Sequence, residues 1–286
     1  MNRVGIIGNG FVGNAITKFM QKNKFVVNVF DIEPTKCFST LKDTLSSDII
    51  FVCVPTPTNV ETGESDIRAL LSVIDKIPRN HHSHIILKST SLPGTTRRIF
   101  KNRPDLKIIF SPEFLTERTA NMDFEYPTRI ILGFDHTKIN CESEDVYKFF
   151  KKCFPSTYIM CTSWETAEFI KYFCNCFYAA KISLVNEFFQ ISQALNLDWG
   201  QCVDGLLSSK WVNRMHTQVP GPDGDYGFGG KCFPKDILAF ITFSQNNGIS
   251  PLMLSSAWLK NTEVRTNKNW MHIDGAFIKG DSDEDF

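Results

Sequence analysis

Short apolar runs rich in valine and isoleucine alternate with amphipathic stretches through the first half of the chain. Residues 4–7, 26–30, 49–54, 85–87, 108–110, 130–132 and 158–160 have the length and composition of strands. Separated by helical patterns, they predict βαβ units around a parallel sheet with helices on both faces. An α/β, doubly wound domain is therefore expected over residues 1–162.

After Thr162 the pattern changes. A helix can begin at Ser163-Trp164-Glu165, and apolar residues then recur at helical spacing to about Leu197 with neither Gly nor Pro. A helix of about nine turns must bury its apolar stripe somewhere. It reads as a spine that joins two domains and offers a face to a second subunit, so a homodimer through this helix is expected. A Gly/Pro-rich loop over 220–235 precedes helices over 236–246 and 251–260. The expectation is an all-helical central, dimerisation domain over 163–275. An acidic tail over 276–286 follows, whose end, Asp281-Ser282-Asp283-Glu284-Asp285-Phe286, reads as disordered.

At 286 residues the chain can bury a core without staples, and its 42% hydrophobic and 22% charged residues are ordinary for a globular protein. No apolar run approaches the roughly 20 residues of a bilayer span, so no membrane partner is expected. Thirty-one basic side chains balance thirty-one acidic ones, which excludes the basic excess of a nucleic-acid binder. The amino terminus runs straight into a strand pattern with no charged leader or cleavage-site pattern, and a cytoplasmic protein is expected. Nine scattered cysteines, of which only Cys174 and Cys176 are close, are expected as reduced thiols. His81-His82-Ser83-His84 lacks nearby Cys or carboxylate ligands and reads as an exposed turn, with no metal expected.

Gly8-Asn9-Gly10-Phe11-Val12-Gly13 follows the first strand pattern and opens the first helix pattern. In that context GxGxxG marks the dinucleotide site of a Rossmann-like domain. Gly8 allows a tight turn, Gly10 lets a pyrophosphate approach the backbone, and Gly13 lets helix and strand pack closely. The helix start at Phe11 and Val12 meets the anion with N–H groups and a positive dipole end. Asp31 ends the second strand, where a carboxylate can accept from ribose hydroxyls; it favours NAD over NADP because a 2′-phosphate would be repelled.

Tyr226-Gly227-Phe228-Gly229-Gly230-Lys231-Cys232-Phe233-Pro234-Lys235-Asp236 is the densest chemical constellation. Its glycines permit a backbone that wraps closely around a ligand. Lys235, with a helix beginning near Pro234, would raise the thiolate fraction of Cys232; an inert buried thiol is the plainer alternative.

Residues 227–236 together with the glycine motif at 8–13 resemble the UDP-glucose/GDP-mannose dehydrogenase family. Further matches follow in that family's order: Val54-Pro55-Thr56-Pro57, then Ser89-Thr90 before Pro93-Gly94-Thr95, then Ser111-Pro112-Glu113-Phe114-Leu115-Thr116-Glu117. Glu168-Phe169-Ile170-Lys171-Tyr172 with Asn175, Lys181-Ile182 and Asn186-Glu187 resemble the start of its central helix. The resemblance covers nearly the whole chain. It implies a four-electron oxidation of C6 of a nucleotide-sugar, UDP-glucose to UDP-glucuronate, with two NAD molecules in succession. It implies that Cys232 adds covalently to the intermediate aldehyde, that Lys171 and Asn175 stabilise the tetrahedral species, and that Asp236, Thr90 and Glu117 serve proton transfer. Gly8, Gly10, Phe11, Val12, Gly13, Asp31, Pro55, Thr56, Thr90, Glu117 and Lys235 are expected at the cofactor. Glu113, Phe114, Leu115, Glu117, Lys171, Asn175, Tyr226, Phe228, Gly229 and Cys232 are expected at the substrate.

Three features depart from the family pattern. The family usually continues for about another hundred residues as a second α/β domain that holds the nucleotide, so a short form is expected here. Lys210-Trp211-Val212 stands where the family typically carries an arginine that reaches the neighbouring subunit, with Arg214 as the nearest substitute. Arg118 follows Glu117 where glycine is usual. Two alternatives stay open: GDP-mannose or a UDP-N-acetylhexosamine as substrate, and an NAD-binding dimer that has lost catalysis and serves as an interaction protein.

Overall fold

Central strands covered on both faces need apolar side chains at every position, and the valine- and isoleucine-rich runs supply them. The computed structural model describes residues 1–135 and 144–279. Two units divide the chain, Met1–Thr56 with Asp66–Lys171, and Pro57–Ser65 with Tyr172–Phe286. Residues 280–286 of the expected acidic tail lie outside the described residues.

In the first unit the strands are β1 (Arg3–Ile7), β2 (Val26–Phe30), β3 (Ile49–Val52), β5 (His84–Leu87), β6 (Lys107–Phe110), β7 (Arg129–Phe134) and β8 (Tyr158–Ser163); β4 (Thr58–Asn59) belongs to the second. Among the described residues they form one seven-stranded sheet in the order β2-β1-β3-β5-β6-β7-β8. Neighbours run parallel except β6 and β7, which meet antiparallel through Phe110 and Gly133. The doubly wound parallel sheet expected from the alternation is thus present, with one antiparallel joint. β3 stops two residues before the expected end because Pro55 and Pro57 follow, and proline cannot donate to a ladder.

Alternate strand residues feed two cores. Ile49 and Phe51 pack with α1 (Phe11–Lys22), α5 (Ala120–Glu125) and α6 (Asp145–Cys153), where Phe19 stacks on Phe154 at 4.7 Å. Ile50 and Val52 pack with α2 (Leu41–Leu45), α3 (Arg68–Lys76), α4 (Thr95–Asn102) and the opening turns of α7 (Trp164–Ala194). Helices thus cover both faces, as the doubly wound pattern requires.

The second unit contains the rest of α7, then α8 (Trp199–Ser208), α9 (Phe233–Asn246) and α10 (Leu252–Val264). Its core holds Cys176, Ala179, Phe228, Ile237, Ile241 and Ala257. α7 ends three residues before Leu197: Asn196 turns left-handed at φ 52°, and the Leu197 N–H returns to the Ser192 carbonyl at 2.8 Å. From Trp164 to residue 275 the elements are helical, as expected; the unit adds β4 pairing in parallel with β9 (Phe277–Ile278), both outside that range. Two-residue strands are too short to show a period in the sequence, and β9 falls where the tail is expected to begin.

Cys37, Cys53, Cys153, Cys174, Cys176, Cys202 and Cys232 lie outside disulfides, but Cys161 in β8 is disulfide-bonded. This corrects the expectation of reduced thiols throughout; pairing needs Cβ atoms within about 4 Å, which only tertiary placement sets. Among the described residues no helix is long and apolar enough to cross a membrane.

Candidate active site

The parallel register of β1 and β2 sets Ile7 opposite Phe30, which brings Gly8 and Asp31 to the same carboxyl-terminal edge. Gly8 has φ 90°, and a Cβ there would lie 2.8 Å from the Cys53 carbonyl. At Gly13 a Cβ would meet the Gly8 oxygen at 2.0 Å. Gly10 differs: a Cβ would have no protein atom within 4 Å, so open space lies at the start of α1. The α1 ladder begins with the Asn14 N–H on the Gly10 oxygen at 2.8 Å, which leaves the amides of Phe11, Val12 and Gly13 outside it.

The Asp31 carboxylate accepts the Asn9 N–H on one oxygen and the Glu33 N–H, at 2.9 Å, on the other. Each oxygen keeps a lone pair for a ribose hydroxyl. Beside it the Asn9 amide oxygen is buried with no hydrogen-bond partner. An open glycine, unused helix amides and a fixed carboxylate suit NAD, the amides taking the pyrophosphate and Asp31 the ribose.

Thr56 and Thr90 are brought together, the buried Thr56 hydroxyl donating to the Thr90 carbonyl at 2.7 Å. Pro55 is exposed. Glu113 and Lys171 form an ion pair at 2.7 Å with both side chains buried, and the ammonium also donates to the Glu113 carbonyl at 2.8 Å. Burial works against the Glu113 charge, but Lys171 and the Leu115 N–H outweigh it and hold the carboxyl below its ordinary value. Phe114 lies beneath Lys171, 5.7 Å from ring centre to nitrogen. Glu117 stands apart in exposure, in a single turn at Glu117–Thr119 with Arg118 exposed beside it.

Lys88 and Glu168, buried charges of this unit, were not assigned a role from the sequence. Lys88 donates to the Pro112 carbonyl at 3.0 Å and the Ser111 hydroxyl at 3.3 Å, and burial, opposed by Cys53 and Glu113, pulls its ammonium down to about 8. Glu168, fully buried, accepts from the N–H groups of Gly94 and Thr96 at 2.7 and 2.8 Å and from the Thr96 hydroxyl at 2.6 Å. Burial outweighs these bonds and raises its carboxyl to about 7. The available signal was a charge inside or ending an apolar run, Lys88 after Ile85-Ile86-Leu87 and Glu168 on the core-facing side of a helix.

In the second unit Asp236 sits in the first turn of α9, 1% exposed. It accepts from the Asn175 amide at 2.6 Å and pairs with Lys235 at 2.5 Å. The Lys235 carbonyl accepts from the Thr58 hydroxyl at 3.0 Å, which ties β4 to the same turn. Cys232 is the N-cap residue of α9, and its carbonyl accepts the Asp236 N–H at 3.0 Å. Nearby Cys176 is inert: burial, then the Asp236 charge, pushes its thiol well above the ordinary value.

Lys235, expected to act on the Cys232 thiol and the cofactor, is a buried ammonium paired with Asp236. Phe228, expected at the substrate, is 3% exposed, in the core against Phe233 and Trp258, because a phenyl ring gains more from burial there than from a glycine-loop surface. Gly229 has no room for a side chain, since a Cβ would lie 2.3 Å from the Arg265 guanidinium. Tyr226 is 39% exposed beside Phe189. Trp211 is almost fully exposed, and Arg214 pairs with Asp204 at 2.8 Å on the surface.

A model of the NAD binding domain of the UDP-glucose/GDP-mannose dehydrogenase family matches residues 36–151, and one of that family's central domain matches residues 165–263. UDP-glucose 6-dehydrogenase of Rickettsia bellii is 32% identical over 252 residues, 84% of this chain and 55% of its own length. GDP-mannose 6-dehydrogenase of Pseudomonas aeruginosa is 28% identical over 237 residues, 77% of this chain and 52% of its own length. The chain thus spans about half the length of these two relatives. A solved UDP-glucose dehydrogenase from Pyrobaculum islandicum shares the fold with TM-score 0.79 at 23% identity, over 92% of this chain and 68% of that one.

Proposed function

Because this chain belongs to the UDP-glucose/GDP-mannose dehydrogenase family, whose members are NAD-dependent nucleotide-sugar dehydrogenases, we propose that it oxidises the C6 alcohol of UDP-glucose to the carboxylate through a Cys232 adduct. The observation that carries this reading is the buried polar set at the head of α9. The Asp236 carboxylate, in the first turn of the helix that Cys232 caps, holds the Lys235 ammonium of the same turn and the Asn175 amide from α7. A merely structural helix start gains nothing from sequestering two charges, which costs several kcal/mol per ion before pairing offsets it.

NAD, which the start of α1 and Asp31 would hold, would supply the hydride acceptor for each of the two oxidations. In the first oxidation the hydroxyl proton leaves to a base while the C6 hydride departs, giving an aldehyde; Asp236, Thr90 and Glu117 are assigned to proton transfer. The Cys232 sulfur then bonds to C6, and the tetrahedral thiohemiacetal can lose a second hydride to become a thioester. Water cleaves the C6–S bond, releasing the acid and restoring the thiol. Lys171, paired with Glu113, and Asn175 are assigned to the oxyanion of the tetrahedral species.

A homodimer through α7 is part of the reading. Phe169, Phe173, Phe177, Leu184, Phe188 and Ile191 recur every three, four or seven residues and are each 46% or more exposed, a stripe that a second copy would cover. The cytosol, where NAD is abundant, is the proposed compartment.

The test is NADH formation, read by absorbance, with UDP-glucose, GDP-mannose and UDP-N-acetylhexosamines. The expected result is two NADH per UDP-glucose and loss of acid formation in Cys232→Ser. A stoichiometry of one contradicts the covalent second step; no signal with any sugar overturns the enzyme reading.

A further inference from the structure

The loop that leads to Cys232 is built from residues that favour disorder, yet its backbone is held by side chains from distant parts of the second unit. The Gly227 N–H donates to the Asn186 side-chain oxygen, from α7, at 3.0 Å. The Phe228 N–H and carbonyl are both taken by the Asn261 amide, from α10, at 2.6 and 3.0 Å. The Gly230 N–H donates to the Asn269 side-chain oxygen at 3.1 Å, and the Tyr226 carbonyl accepts from Arg265 at 3.2 Å. Asn186, Asn261 and Arg265 are each at most 3% exposed. Arg265 is itself fixed by Asp223 at 2.7 Å and by the Asn267 carbonyl at 2.9 Å.

The glycines are required by this clamp. Gly227 and Gly230 have φ of 66° and 74°, where other residues are strained. A Cβ on Gly227 would strike the Asn261 oxygen at 2.3 Å, and one on Gly229 would strike Arg265 at 2.3 Å and Asn269 at 2.6 Å. Only Lys231 separates Gly230 from Cys232. Beyond Cys232 the chain enters α9, where the Thr58 hydroxyl holds the Lys235 carbonyl and Asn175 holds Asp236. The cysteine backbone is therefore pinned on both sides.

Resting on the reading of Cys232 as nucleophile, we propose that Arg265 and Asn269, in the segment after α10, are positioning residues that fix the Cys232 loop for attack. A glycine-rich loop left to itself samples many conformations, and a nucleophile displaced by about 1 Å can lose on the order of 10²-fold in rate. The segment after α10 thus completes the catalytic loop as well as the fold.

The test compares Asn269→Ala, Asn269→Asp, Arg265→Met and Arg265→Lys with the wild type. Asp at 269 still accepts from the Gly230 N–H and is expected to behave as wild type. In Asn269→Ala and Arg265→Met, amide exchange at Gly227, Phe228 and Gly230 should rise about tenfold or more, and the rate of Cys232 alkylation by iodoacetamide should change, while NAD affinity stays fixed. With UDP-glucose, kcat should fall on the order of 10²-fold with KM within about threefold. Unchanged loop exchange and unchanged alkylation in both variants, or equal losses in Asn269→Asp and Asn269→Ala, would overturn the proposal. Exchange and alkylation report on the loop even when no sugar is oxidised, so a failure of the enzyme reading is told apart from a failure of the clamp.

Discussion

Glu113 and Lys171 lie 58 residues apart and meet as a buried ion pair at 2.7 Å, in which the lysine also holds the glutamate's own carbonyl. The two lysine bonds join the loop after β6 to α7, and the second carboxylate oxygen takes the Leu115 N–H within that loop. Glu113→Gln should strand the ammonium and destabilise the chain by about 3–5 kcal/mol, measured by urea unfolding. The double variant Glu113→Leu/Lys171→Met should recover part of that loss, because neither charge is then left unpaired. A double variant no more stable than Glu113→Gln would refute this account.

Glu168 makes stability depend on pH. Its carboxyl is raised from 4.5 to about 7 in the fold, so the protonated form is favoured there. The stability this supplies is fully present below about pH 4.5 and is lost as pH rises through about 7, a change on the order of 3 kcal/mol. Thermal unfolding from pH 4.5 to 8 should show this decline in the wild type and a flatter profile in Glu168→Gln. A slope unchanged in the variant would assign the decline to another group.

Gly10 and Gly13 should respond differently to alanine. At Gly13 the added methyl meets the Gly8 carbonyl, so both fold and cofactor site should suffer, at a cost above about 2 kcal/mol. At Gly10 it enters open space, so thermal stability should hold while the Kd for NAD, measured by calorimetry, rises about tenfold or more. Equal NAD affinity in wild type and Gly10→Ala would mean that the pyrophosphate does not approach there.

The exposed stripe on α7 includes Phe177 and Phe188, 58% and 57% exposed. Replacing both with glutamate should convert a dimer to a monomer by light scattering, with helicity retained. A wild-type chain that is already monomeric at micromolar concentration would exclude the α7 interface.

The glycine motif, Asp31, the strands and the long helix were legible because each is local: a short run of residues carries its own period or turn chemistry. Cys232 was conspicuous for the same reason, lying at the end of a glycine-rich stretch directly before the apolar pattern of α9. β4 and β9 were not legible, because two-residue strands have no period and their pairing joins residues remote in the chain. Nor was the role of Phe228, whose place in the core depends on Phe233 and Trp258.

What the sequence determined by itself was the class of the fold, the cofactor motif and the residue types available for chemistry, since periodicity and spacing are properties of neighbours in the chain. Tertiary structure alone decided that Asp236 would be held by Asn175, that Glu168 would be buried against Gly94 and Thr96, and that Asn186, Asn261 and Asn269 would converge on one loop. The reason is physical: desolvation and hydrogen bonding depend on distances between residues remote in sequence, and these exist only once the chain has packed.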